Sequence, residues 1–167
     1  LFYKFWENIL NSFRGRNCRW HLVAMALTYR LVTSDFDEGY YQFFRSTQLY
    51  YIAFSAAAVG GIIPLIAPIG ILIIGKTRRS AGLVTTAFAI AQAAIIGSVI
   101  SSIYKAFTGR FHPSIAELPN IDVSHVFQFG FLRGGIFWGW PSSHATIAFA
   151  MAFTLLALYP KNKIVRV

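Results

Sequence analysis

The residues of this chain best suited to chemistry lie in two short polar clusters at the ends of apolar runs. One cluster, Pro141-Ser-Ser-His144, opens an apolar run that continues to Tyr159. The other, Lys105-Ala-Phe-Thr-Gly-Arg-Phe-His-Pro113, closes an earlier apolar run. A helix start exposes backbone N–H groups and the positive end of the helix dipole, so the cluster at 141–144 favours an anion.

The side chains of the two clusters suit a phosphoryl group. Lys105 and Arg110 supply two cations that can neutralise phosphate charge. Ser142, Ser143 and the N–H groups of the helix start can hold the phosphate oxygens. Because a histidine titrates near neutral pH, His144 can donate a proton to a leaving oxygen.

Purely structural interpretations of the same residues stay open. The Lys105 side chain can simply extend its ammonium group to water at a membrane interface. Ser142 and Ser143 can be ordinary caps of a helix, and His144 can be a packed histidine of a first helical turn. His21 and His125 show no partner pattern and are interpreted as interface and structural residues.

Composition places both clusters in a membrane protein. Of the 167 residues, 56% are hydrophobic and only 13% are charged, whereas a soluble domain carries about 25% charged residues. The net charge of +9 does not indicate nucleic-acid binding, because the basic residues lie in short clusters between apolar runs. We therefore expect membrane lipids and no nucleic acid as partners. The single cysteine, Cys18, excludes an intrachain disulfide.

Four apolar runs predict an all-α fold, a polytopic transmembrane helix bundle. Pro64 and Pro68 in the second run predict a kink or a break. The small residues of the third run allow close packing, which predicts a central position in the bundle. The predicted spans cover about 20–35, 49–75, 83–104 and 141–159.

The other segments are predicted to lie at the membrane surface. Residues 1–19 have apolar side chains at helical spacing together with basic ones, which is typical of an interfacial amphipathic helix or of a basic tail beside a span. Residues 34–47 gather acidic and aromatic residues, which predicts a water-facing loop. The aromatic residues of 105–140 favour a loop folded over the bundle.

Three basic clusters orient the bundle. With four spans they all fall on one side, which the positive-inside rule makes the cytoplasm. The N-terminus is then cytoplasmic, and the loops 34–47 and 105–140 are extracytoplasmic. We expect the inner membrane of a bacterium. The clusters are Arg14, Arg16 and Arg19; Lys76, Arg78 and Arg79; and Lys161, Lys163 and Arg166.

The first polar cluster along the chain resembles a motif of the type 2 phosphatidic acid phosphatases, relatives of the vanadium haloperoxidases. That motif reads Lys, six residues, Arg-Pro. Lys105 and Pro113 match it, while His112 stands where arginine is usual. A neutral imidazole carries no permanent charge, and Arg110 can supply the missing one.

The second cluster resembles the next motif of the same family, which reads Pro-Ser-Gly-His. Pro141, Ser142 and His144 match it, and Ser143 replaces glycine. The resemblance implies that Lys105, Ser142 and the Ser143 backbone N–H bind phosphate oxygens and that His144 protonates the leaving group. The third motif of the family, Ser-Arg, five residues, His, three residues, Asp, has no counterpart in this chain.

The resemblance implies an integral membrane phosphatase that hydrolyses a lipid phosphate monoester or an isoprenyl pyrophosphate through a phosphohistidine. Phosphatidic acid, phosphatidylglycerol phosphate and lipid A phosphate are further candidate substrates. The family's hydrolysis needs no metal or cofactor, and the acidic residues show no ligand spacing, so none is assigned.

Family members usually have six spans, with the third motif near the last one. We therefore expect this chain to be truncated from a six-span bundle, inactive by itself, with the nucleophilic histidine beyond Val167. The alternative hypothesis is a non-catalytic lipid-binding protein or transporter subunit with a degenerate phosphate pocket.

Overall fold

The computed structural model describes residues 3–34, 36–110, 125–134, 136 and 139–163. Within these ranges all regular secondary structure is helical, which confirms the predicted all-α class. The helices are α1 (Phe5–Ser12), α2 (Arg16–Thr33), α3 (Phe36–Arg45), α4 (Leu49–Thr77), α5 (Ala81–Thr108) and α6 (Ser143–Leu158).

Two helices of the described residues are long and apolar enough to cross a membrane. They are α4, with 29 residues, and α5, with 28 residues. The apolar helix α6 has only 16 residues, or about 24 Å, against a hydrocarbon core of about 30 Å. Helix α2 is less apolar, because its 18 residues include three arginines. The first and fourth predicted spans therefore stay predictions.

Helix α4 continues through Pro64 and Pro68, and both prolines are buried. Each proline lacks a backbone N–H and so removes one hydrogen bond of the helical ladder. The helix nevertheless stays continuous over its 29 residues. Of the predicted kink or break, the break does not occur.

Residues 36–45 form helix α3, so the prediction of a loop over 34–47 was wrong. The physical reason is the spacing of the aromatic residues, which places every fourth side chain on one helical face. The ring of Tyr40 lies 6.2 Å from that of Phe36 and 4.4 Å from that of Phe44. On another face, the Gln42 amide donates a hydrogen bond of 2.6 Å to the Glu38 carboxylate.

The chain divides into two compact units. The first unit comprises Leu1–Phe5, Ser55–Ile100 and Ser142–Val167, and the second comprises Trp6–Phe54 and Ser101–Pro141. Helices α4 and α5 each contribute residues to both units. The two units are described separately below.

In the first unit, α5 packs against both α4 and α6, as its small residues predict. At Gly75 of α4, a Cβ atom would lie 2.9 Å from the α5 backbone. At Gly97 of α5, a Cβ atom would lie 3.3 Å from the Ala150 Cβ of α6. Nearer the start of α5, the hydroxyl groups of Thr86 and Tyr159 are 2.6 Å apart, so α5 and α6 run antiparallel. Close approach of this kind is typical of membrane helices with small residues at their interface.

In the second unit, α2 lies against the C-terminal end of α5. His21 Nδ1 is 2.6 Å from the Tyr104 hydroxyl, and His21 Nε2 is 2.7 Å from the Ser12 carbonyl oxygen. Farther along α2, residues between Met25 and Thr33 face the same cavity as Tyr104 and Thr108. Helix α2 therefore packs against the last turns of α5.

This contact does not fit two predictions about the sides of the membrane. The basic residues at 14–19 were placed in the cytoplasm and the loop 105–140 on the opposite side. His21 lies only two residues after Arg19, yet it contacts Tyr104 at the point where the loop begins. The predicted arrangement instead places His21 and Tyr104 near opposite faces of the membrane.

Candidate active site

Helix α6 begins at the second motif because Ser142 caps it. The Ser142 hydroxyl oxygen accepts a hydrogen bond from the Ala145 N–H at 3.4 Å, as an N-cap serine does. The Ser142 carbonyl oxygen accepts the first helical bond, from the Thr146 N–H at 3.0 Å. The amides of Ser143 and His144 therefore lie ahead of the helical ladder, in the position where a helix binds an anion.

The His144 imidazole lies on the surface of helix α4. A Cβ atom on Gly61 would be 2.5 Å from His144 Cδ2 and 2.8 Å from His144 Nε2. The imidazole ring thus occupies the space that any side chain at position 61 would need. His144 as a whole is exposed.

Lys105 lies in the last turn of α5 and is 4% exposed. A cation at this end of a helix is favoured by the helix dipole. The low dielectric of buried surroundings strengthens the attraction of its ammonium group for an anion. Helix α5 ends three residues later because Gly109 has φ 49°, the left-handed conformation that terminates many helices.

The loop after α5 folds back onto the last turn of the helix. The amides of Gln128, Gly130 and Leu132 donate hydrogen bonds to the carbonyl oxygens of Gly109, Phe107 and Ala106 at 3.3, 3.1 and 2.7 Å. These bonds satisfy backbone carbonyls that a helix end leaves without partners inside the helix. The described part of the loop is therefore folded over the end of α5, and its predicted position at the membrane surface stays a prediction.

Arg110 follows Gly109 and lies over an aromatic ring of the same loop. Its guanidinium carbon is 5.6 Å from the centre of the Phe127 ring, a cation–π distance. Gly139 approaches the Arg110 carbonyl group so closely that a Cβ atom there would collide with it. Lys105 and Arg110 are thus both fixed around the end of α5, whereas His112 lies outside the described residues.

The predicted site residues fall into two groups, one in each unit. Lys105 and Arg110 belong to the second unit, and Ser142, Ser143 and His144 belong to the first. The structure brings the members of each group together on one helix end. Their roles in a shared site stay a prediction.

A cavity of about 580 Å³ lies in the second unit, beside the last turn of α5. Its walls come from α2, from α5 and from the loop after α5. No Lys, Arg, Asp or Glu of the described residues lines it. We call it the aromatic cavity, after the side chains of Tyr29, Tyr104, Phe107, Phe127, Phe129 and Trp140.

Sequence reasoning missed three residues that position this site. Gly61 receives the His144 ring, and the Gly60-Gly61 pair in an apolar helix is the signal that could have indicated a close contact. His21 and Tyr104 join α2 to the end of α5, and no local pattern pairs them. Within the described ranges, no three His, Cys, Asp or Glu side chains come together to hold a metal ion.

Comparison with known proteins identifies the family. A family model described as the PAP2 superfamily matches residues 82–166, which are 85 of the 167 residues. Comparisons with curated proteins and with solved structures give no match. The matched range includes both polar clusters, from Lys105 to Pro113 and from Pro141 to His144. The chain therefore belongs to the PAP2 superfamily, as the resemblance of its two motifs to the type 2 phosphatidic acid phosphatases predicted.

Proposed function

We propose that this chain is the phosphate-binding part of a bacterial inner-membrane phosphatase that hydrolyses a lipid phosphate monoester or an isoprenyl pyrophosphate. The observation that carries the proposal is the PAP2 match, which extends over both motifs and supports a phosphatase-type hydrolase. The two long apolar helices α4 and α5 support a membrane location. The reaction takes place at the extracytoplasmic face, where the loop 105–140 lies in the predicted topology.

Residues at the end of α5 and at the start of α6 bind the phosphate group. The buried ammonium group of Lys105 binds phosphate oxygens, and Arg110 supplies a second permanent positive charge. His112, at the position where the family has arginine, donates a hydrogen bond. The Ser142 hydroxyl and the Ser143 amide at the start of α6 hold the remaining oxygens. These donors stabilise the charge that develops on the phosphoryl oxygens during transfer.

The chemical steps need one nucleophile and one acid. A histidine expected after residue 167 attacks the phosphorus atom and forms a phosphohistidine. The bond between phosphorus and the leaving oxygen breaks as His144 donates its proton to that oxygen. Water then attacks the phosphohistidine and releases inorganic phosphate. The chain 1–167 by itself is therefore expected to release no phosphate.

The test measures phosphate release from phosphatidic acid by the full-length protein in EDTA. We expect activity in the wild type and a loss of about 10²- to 10⁴-fold in His144→Ala and His144→Asn, the usual contribution of a general acid. Phe149→Ala is the matched control, because Phe149 lies on the same helix and is 62% exposed. Near wild-type activity in either His144 variant contradicts the proposal, as does activity that disappears in EDTA.

A further inference from the structure

Two buried polar residues lie one helical turn apart near the end of α5. Among the described residues, three polar or charged residues are buried: Thr86, Ser101 and Lys105, which are 4%, 0% and 4% exposed. The Thr86 hydroxyl has partners within the first unit, the Gly82 carbonyl oxygen at 2.9 Å and the Tyr159 hydroxyl at 2.6 Å. Ser101 and Lys105 both belong to the second unit, where the phosphate-binding lysine lies.

The spacing of Ser101 and Lys105 places them on the same face of α5. Residues i and i+4 of an α-helix are neighbours on its surface, and α5 is a single helix over Ala81–Thr108. A long side chain in a helix extends toward the N-terminus, over the residues three and four positions before it. For Lys105 these are Ser102 and Ser101, of which Ser101 is fully buried and Ser102 only partly so. The Ser101 hydroxyl is therefore the buried side-chain oxygen that helical geometry places beside Lys105.

The buried ammonium group of Lys105 needs hydrogen-bond acceptors, because burial of a charge without them is costly. A lysine in a last helical turn commonly uses the last backbone carbonyl oxygens of its helix. In α5 the carbonyl oxygens of Lys105, Ala106, Phe107 and Gly109 each accept a backbone amide already, and three of those amides come from the loop. A side-chain oxygen one turn earlier is thus a well-suited partner for the ammonium group.

The chemistry of a serine hydroxyl fits this role. The hydroxyl has one O–H donor and two acceptor lone pairs. A hydroxyl inside a helix often donates to the carbonyl oxygen four residues earlier, as Thr108 does to Tyr104 at 2.8 Å. Its oxygen can then accept a hydrogen bond from an ammonium group. Because the hydroxyl is neutral, it leaves the positive charge of the lysine available to a phosphate, whereas a carboxylate would cancel that charge.

We propose that Ser101 is a positioning residue of the phosphate site. Its hydroxyl accepts a hydrogen bond from the Lys105 ammonium group and holds that group, with its charge, at the end of α5. The inference rests on the proposed function and deepens it, because Ser101 acts on the phosphate only through Lys105. The competing explanation is packing, since Gly97 and Ser101 lie at the spacing of small residues in a helix interface. Alanine separates the two explanations, because it is as small as serine but has no hydroxyl.

A kinetic experiment tests the role in phosphate binding. Full-length Ser101→Ala is assayed with phosphatidic acid, and we expect kcat/KM to fall about tenfold, the order expected for one hydrogen bond to a charged group. Ser102→Ala is the matched control, because Ser102 is the neighbouring serine of the same helix and is only partly buried. We expect it to retain the wild-type kcat/KM. An unchanged kcat/KM in Ser101→Ala, or an equal fall in the two variants, overturns the proposal.

An unfolding experiment tests the contact without reference to catalysis. Ser101→Ala is introduced into the full-length protein and into its Lys105→Met variant, and the midpoint of thermal unfolding is measured for all four proteins. We expect Ser101→Ala to lower the midpoint by about 2 to 4 °C when Lys105 is present. We expect no lowering in the Lys105→Met background, because methionine needs no acceptor.

A packing role for Ser101 would not depend on the residue at position 105. An equal shift of the midpoint in the two backgrounds, including no shift in either, therefore overturns the proposal. If the wild type releases no phosphate from phosphatidic acid, the proposed function fails. The unfolding comparison still decides whether the Ser101 hydroxyl holds the Lys105 ammonium group, so the two failures are distinguishable.

Discussion

At the residue scale, the proposed role of His144 as the general acid depends on Gly61, a residue that has no side chain. The motif residues could be predicted from sequence because their types and their spacing are local features. Gly61 could not, because its importance arises only when α4 and α6 pack together. Its hydrogen atom leaves the space in which the His144 ring lies, 2.5 Å from where a Cβ would stand.

We predict that Gly61→Ala lowers kcat for phosphatidic acid about 10- to 100-fold in the full-length protein. The new methyl group displaces the His144 ring, and a displacement of about 1 Å can cost about 100-fold in rate. The midpoint of thermal unfolding is expected to change little, because His144 is exposed and its ring can rotate away. Phosphate release and the unfolding midpoint are measured on the same preparations.

Gly60→Ala is the matched control for that prediction. Gly60 is the neighbour of Gly61 in α4, and a Cβ atom there has nothing within 4 Å. We expect it to retain activity, and alanine in a helix interior is favoured over glycine by about 1 kcal/mol. Equal losses in the two variants would show that the effect belongs to the helix and not to the His144 contact.

At the element scale, the long apolar helices were predictable and the short aromatic one was not. Helix α4 (Leu49–Thr77) lies within two residues of its predicted bounds, because basic residues end its apolar run. Helix α5 extends four residues past its prediction, to Thr108, because Gly109 and not the polar Lys105 ends it. Helix α3 was missed because its acidic and aromatic residues suggested a water-facing loop, although the spacing of the aromatic residues fits a helix.

A single glycine, Gly109, therefore ends helix α5. Gly109 has φ 49°, and the loop approaches it so closely that a Cβ would lie 2.6 Å from the Gln128 carbonyl oxygen. The same turn carries Lys105, whose carbonyl oxygen accepts the Gly109 N–H at 3.0 Å. A change at position 109 consequently affects the loop, the helix end and the phosphate-binding lysine together.

We predict that Gly109→Ala lowers the unfolding midpoint of the second unit and raises KM for phosphatidic acid. The left-handed conformation costs an alanine about 1 to 2 kcal/mol, and the collision with Gln128 adds to that cost. Thermal unfolding and limited proteolysis of the loop provide the measurements. Gly70→Ala is the control, because a Cβ atom at this helical position has nothing within 4 Å. Stability and proteolysis equal to those of Gly70→Ala would contradict the prediction.

At the scale of the whole molecule, composition predicted a membrane protein, and the charge pattern predicted a side of the membrane for each segment. The positive-inside rule assumes that each apolar run crosses the bilayer. Helix α2 carries three arginines, and its span stays a prediction. An odd number of crossings before a segment reverses its side, so the predicted side of the N-terminus depends on whether α2 crosses the membrane.

The contact of His21 with Tyr104 predicts that the start of α2 and the loop after α5 lie on the same side of the membrane. Cys18 is exposed and lies one helical turn before His21. Phe131, in the loop, is 68% exposed. Cys18 is labelled in one protein, and the cysteine introduced by Phe131→Cys is labelled in a second variant that lacks Cys18. We expect both cysteines to react with a membrane-impermeant maleimide under the same condition, which is either in intact cells or only after permeabilisation. If Phe131→Cys reacts in intact cells while Cys18 reacts only after permeabilisation, the result supports the predicted cytoplasmic N-terminus. That result would also require α2 to leave the end of α5, and with it the wall of the aromatic cavity.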